Sequence, residues 1–113
     1  YSGRIIDATE ALKLNLVSSV HDSESLLTDA VNITKKMIQN SAPVSISLTR
    51  QMLWRSLESS GPYDAHVIES KAIDSRGASE DAKEGVSSFL EKRPAKFKNK
   101  VSSDMPKFFP WWE

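Results

Sequence analysis

The chain has 113 residues, 39% of them hydrophobic and 27% charged, which places it within one ordinary soluble domain and excludes disordered and fibrous classes. It contains no cysteine and two histidines, His21 and His66, so disulfides and thiolate metal sites are excluded and no metal is expected. Fifteen basic residues balance fifteen acidic ones, which argues against a nucleic-acid surface spread over the chain. No apolar run is long enough to span a bilayer, so no membrane partner is expected either.

Ser2-Gly3-Arg4-Ile5-Ile6 reads as a turn and an extended stretch, after which Ala8 to Leu14 has strong helix formers with Asp7 placed as N-cap. Asn15 stands where a left-handed C-cap is wanted. Leu16 to Val20 reads as briefly extended. A second helix, capped by Asp22 or Ser23, runs to about Asn40, with Leu26, Ala30, Ile33 and Met37 forming a stripe that Leu27, Val31 and Ile38 widen. A face that broad predicts packing on both sides.

Pro43 suits the first turn of a third helix, in which Val44, Leu48 and Met52 form one line and Leu53 and Leu57 another. A fourth helix from Pro62 to about Arg76 turns Ala65, Ile68 and Ala72 inward, with Gly77 expected as its C-cap. Ser79 caps a fifth, whose apolar line is Ala82, Val86, Phe89 and Leu90, and Pro94 stops it. The domain reading is therefore a helical domain over residues 1–93 and a basic, aromatic-ended tail over 94–113. Lys92, Arg93, Lys96, Lys98, Lys100 and Lys107 crowd that end, so an anionic visitor is expected there. The terminal Phe108-Phe109-Pro110-Trp111-Trp112 reads either as an anchor for a neighbouring subunit or as a loose end.

Nothing in the residues builds a catalytic centre. Asp81 and Glu84, three apart on one helix, are better placed to serve the helix dipole than to act as an acid and base. His66 has no nucleophile or carboxylate at a spacing that would orient it. Phe89 and Lys92, also three apart, are the one ring and cation that converge, a pairing suited to a purine and its phosphate, although such a pair near a helix end also serves as core and dipole complement.

Two segments resemble the enoyl-CoA hydratase/isomerase (crotonase) family. One runs from Ser2-Gly3 through Ala8-x-Glu10-Ala11 to Leu14-Asn15-Leu16-Val17-x-x-Val20; the other is Ser79-x-Asp81-Ala82-Lys83-Glu84-Gly85-Val86-x-x-Phe89-Leu90-Glu91-Lys92-Arg93-x-x-x-Phe97. Ser2 stands for the usual threonine and Asn15 for the usual glycine. The resemblance implies an all-α C-terminal trimerisation domain of the crotonase spiral fold, its N-terminal β/α part lying outside a chain that reads as a fragment.

It also implies that the catalytic glutamates and oxyanion amides precede this segment, so no catalytic residue is expected in it. Phe89 and Lys92 would border the adenine and phosphates of a coenzyme A thioester, which is substrate rather than cofactor, with Arg93 and Lys96 adding a diffuse field. A homotrimer or hexamer is implied, in the bacterial cytoplasm or alternatively the mitochondrial matrix. The rival reading is a helical interaction module that kept the fold and lost the chemistry.

Overall fold

A computed structural model describes all 113 residues. It contains five helices and no strand: α1 (Ala8–Lys13), α2 (Leu26–Ile38), α3 (Pro43–Ser56), α4 (Pro62–Gly77) and α5 (Glu80–Leu90). The all-α expectation holds, and the stretch read as extended, residues 16–20, bends at 16–18 and forms no strand. The chain divides into two compact units, Tyr1–Lys35 and Lys36–Glu113.

In the first unit Asp7 caps α1 as expected, its Oδ1 accepting the Glu10 amide at 2.7 Å. Asn15 adopts φ 56°, and the Leu16 and Asn15 amides donate to Ala11 O and Leu12 O at 2.9 and 3.0 Å. That pair of bonds is a Schellman motif closed by asparagine where glycine is commonest. Asn15→Gly relieves the left-handed strain but frees the unfolded chain, so the two effects oppose and a thermal melt is expected to change by less than about 1 kcal/mol.

The second helix starts later than its sequence suggested. Residues 23–25 form a turn, and Asp22 contributes its backbone carbonyl, which accepts the Leu26 amide at 2.9 Å, rather than a side-chain cap. Ser19 Oγ lies 2.7 Å from His21 Nε2, His21 Nδ1 lies 2.9 Å from Asp29 Oδ2, and Ser25 Oγ donates to the same oxygen at 2.8 Å. These bonds tie the loop before α2 to its first turn, and the Ser25 hydroxyl, then His21, hold the Asp29 carboxyl below its ordinary range. The broad apolar stripe was expected to pack on both sides, yet no residue of α2 is buried.

In the second unit Val44 and Leu48 of α3 and Ala72 of α4 form the core. Proline opens both α3 and α4, where its missing amide costs no hydrogen bond. The Leu53–Leu57 line of α3 remains exposed. Gly77 belongs to α4 rather than capping it: the cap is Ala78 in right-handed conformation, and Ser79 already caps α5, which leaves no residue for a left-handed turn.

The tail completes this core. Met105, Phe108, Phe109 and Trp111 pack on Val44, Leu48 and Ala72, and Pro106 is buried. Trp112 meets Phe109 and Trp111 edge to face at 5.2 and 5.0 Å, and the Arg55 guanidinium sits 4.3 Å from the Trp112 ring centroid. The terminal aromatics are thus neither a loose end nor a free anchor; they cover the chain's own α3 and α4, because a three-residue core is too small to exclude water without them.

Cover remains incomplete. Four apolar residues are buried while twenty-three large ones are exposed, so the chain's apolar surface exceeds what its own fold can shield.

Candidate functional site at the end of helix α5

Phe89 and Lys92, the ring and cation singled out in the sequence, stand at the C-terminal end of α5. Ser79 Oγ accepts the Ala82 amide at 3.2 Å to start the helix, and Glu80 and Asp81 fall in its first turn beside the positive end of the dipole. At the other end Glu91 is the cap and Lys92 follows at φ 53°. The Arg93 amide donates to Ser88 O at 3.0 Å and the Lys92 amide to Phe89 O at 3.3 Å, a second Schellman motif. A lysine occupies the left-handed position that glycine takes at least cost, at an expense of roughly 1–2 kcal/mol.

Phe89 is 81% exposed, and Val86 and Leu90 beside it are also exposed. The apolar line drawn for α5 is therefore not an intrachain core line. Phe89 lies in the last turn of α5, whereas Lys92 follows the cap in left-handed conformation, so the two do not continue one helical face as their spacing suggested; the cation still stands beside the negative end of the helix dipole. No side-chain ion pair involves Lys92, Lys96, Lys98 or Lys100.

Asp81 and Glu84 do more than serve the dipole: they pin the segment that follows the helix. Asp81 is buried, and its Oδ1 accepts the Lys98 and Asn99 amides at 2.7 and 3.1 Å. Glu84 takes the Arg93 fork at 2.6 and 3.0 Å and the Lys96 amide at 2.7 Å. Held this way, residues 95–100 alternate, with Ala95, Phe97 and Asn99 half-buried and Lys96, Lys98 and Lys100 exposed. Phe97 lies over Gly85, its Cε1 3.9 Å from where a β-carbon would stand.

Arg93 was expected to add a diffuse field, but its guanidinium is engaged, by Glu84 on one side and by Glu91 through Nε at 2.6 Å on the other. Those two carboxylates push the Arg93 pKa further up. The Arg93 bond and the Lys96 amide hold the Glu84 carboxyl at about 2, against an ordinary 4.5. A depressed carboxyl adds stability that is present above its unfolded value and lost as pH falls through the folded one. Melts of wild type and Glu84→Gln are therefore expected to differ most above pH 5 and to converge between pH 4.5 and 2.

The Glu84–Arg93 pair was not foreseen because its members are nine residues apart, a spacing set by the turn beyond the helix and not by helical period. His66 is exposed on α4. An open apolar groove of about 400 Å³ lies in the second unit, lined by Met52, Ala65, Ile68, Trp111 and Trp112 among others; Phe89 and Lys92 are not among its walls.

The family model described as enoyl-CoA hydratase/isomerase matches residues 1–100. The enoyl-CoA hydratase ACTT3 of Alternaria alternata is 36% identical over 99 residues, covering 87% of this chain and 33% of that protein. The short-chain-enoyl-CoA hydratase of Clostridium acetobutylicum is 33% identical over 101 residues, covering 88% of this chain and 38% of that one. Among solved structures, an enoyl-CoA hydratase/isomerase from Mycobacterium paratuberculosis superposes with a TM-score of 0.72 at 24% identity, covering 88% of this chain and 38% of that one, a likeness of fold. The chain spans about a third of the length of the curated relatives it matches. The signature around α1 and that around α5 both lie inside the matched residues, and the chain belongs to the enoyl-CoA hydratase/isomerase family.

Proposed function

We propose that this chain supplies one wall of the coenzyme A nucleotide site, and part of the subunit-packing surface, of an enzyme acting on acyl-CoA thioesters in fatty-acid metabolism. The observation that carries this reading is the end of α5, where an 81% exposed phenylalanine is followed, past the cap, by a lysine in left-handed conformation. Phe89 offers a face on which adenine stacks, and Lys92 a compact cation for a phosphate.

Chemistry at the thioester, hydration or isomerisation through an enolate, falls to glutamates and oxyanion amides outside this segment, which itself contributes binding. Coenzyme A arrives as part of the substrate, and no separate cofactor is required. The exposed stripes of α2, α3 and α5 pack between protomers of a homotrimer or a hexamer, so that each nucleotide lies against α5 of a neighbour. The location that suits this role is the bacterial cytoplasm, with the mitochondrial matrix as the alternative.

The test is turnover of a short enoyl-CoA panel by the full-length protein, with its mass by light scattering. Hydration or isomerisation by a trimer or hexamer is expected, with none by residues 1–113 alone. A monomeric full-length protein contradicts the packing role, and a full-length protein inert on every thioester makes the chain an interaction module instead.

A further inference from the structure

We infer that Glu84 is a positioning residue for the nucleotide site, acting through Arg93 on the backbone of Lys92; this rests on the reading of Phe89 and Lys92 given above. Lysine has neither glycine's freedom nor asparagine's local hydrogen bonds to ease a φ of 53°, so its neighbours must hold it there. The backbone bond of Lys92 itself, at 3.3 Å, is long.

The side chains on either side supply the restraint. Arg93 reaches back along α5 to Glu84 with two parallel bonds, and its Nε bonds Glu91, the residue on the other side of Lys92. Glu84 Oε1 also accepts the Lys96 amide at 2.7 Å, which anchors the chain beyond the turn. One carboxylate thus closes a ring around the left-handed residue of this turn. A bidentate Arg–carboxylate pair is directional, so it fixes orientation as well as proximity.

The chemical consequence is preorganisation. With residues 91 and 93 clamped, the Lys92 ammonium is the group on this turn left free for a phosphate, and its Cα is held at a set place relative to the Phe89 ring. Glu84 touches no substrate in this scheme. Its negative charge is spent on Arg93, which keeps that guanidinium from competing for the same anion.

The experiment is a double-mutant cycle in the full-length enzyme with a short-chain enoyl-CoA and, in parallel, the matching enoyl-pantetheine, which lacks the adenosine and its phosphates. Glu84→Gln is expected to raise KM for the CoA thioester roughly three- to tenfold with kcat kept, to add nothing in the Lys92→Ala background, and to leave kcat/KM for the pantetheine unchanged. An unchanged KM, equal increments in both backgrounds, or equal losses on both substrates overturns the positioning role. If Lys92→Ala itself leaves KM for the CoA thioester unmoved, the nucleotide reading falls, and this inference with it. Should Glu84→Gln fail to fold, Arg93→Lys, which keeps the charge and loses the fork, takes its place under the same criteria.

Discussion

Lys92→Ala in the full-length enzyme is expected to raise KM for an enoyl-CoA roughly ten- to a hundredfold while kcat stays within about twofold, since a hydrogen bond to a charged group is worth about 1.5–3 kcal/mol. The split follows from the proposed location: against the nucleotide, whose contacts are the same in ground and transition states, Lys92 would contribute uniform binding, and that is what its loss would remove. Lys92→Gly sharpens the test. It removes the same ammonium but frees the backbone at φ 53°, so KM should rise as in the alanine variant while the melt moves upward. If both variants bind normally, Lys92 is only a helix terminator; if Lys92→Gly destabilises, the left-handed position is not the strained one.

The second large effect belongs to the core. Leu48 is 1% exposed and is one of three residues at the centre of the second unit, so Leu48→Ala should cost about 2–5 kcal/mol, enough to unfold a small domain. Chemical denaturation of the two variants side by side gives the contrast. Leu57→Ala, 78% exposed at the C-cap of the same helix, should fall within about 0.5 kcal/mol in residues 1–113 alone. In the assembled full-length protein the Leu57 penalty should grow if that face is packed by another protomer. An equal, small effect in both settings would leave α3's second apolar line without a structural partner.

Much of the fold was legible from local signals. Asp7 and Ser79 are caps because a short side-chain oxygen satisfies an amide that the first turn leaves free, and both do so. Asn15 closes α1 because it tolerates φ 56° better than other side chains. Pro43 and Pro62 open helices because their rings fit the first turn. Where local rules compete they misled: Gly77 invites a left-handed cap, but the fourth and fifth helices are too closely joined to contain one. Asp22 and Ser23 invite a side-chain cap, yet the turn before α2 is built by the Asp22 carbonyl and by Asp29, which holds His21 and Ser25.

The candidate site was legible in part. That Phe89 and Lys92 stand at the end of one helix follows from the stop that Pro94 imposes; that the ring is exposed and the lysine lies past the cap in left-handed conformation does not.

What the residues determined by themselves are five helices, the caps at Asp7, Asn15 and Ser79 and which faces are apolar, because these depend on neighbours within about four positions and on side-chain polarity. Which apolar faces are covered was decided only in three dimensions. Val86, Phe89 and Leu90 look no different in sequence from Val44 and Leu48, but the terminal aromatics return to α3 and α4 and leave this face of α5 bare. Burial depends on which surfaces meet across tens of residues, and the pairs that close the site, Glu84 with Arg93 and Asp81 with the Lys98 amide, are made by the chain turning back after Leu90.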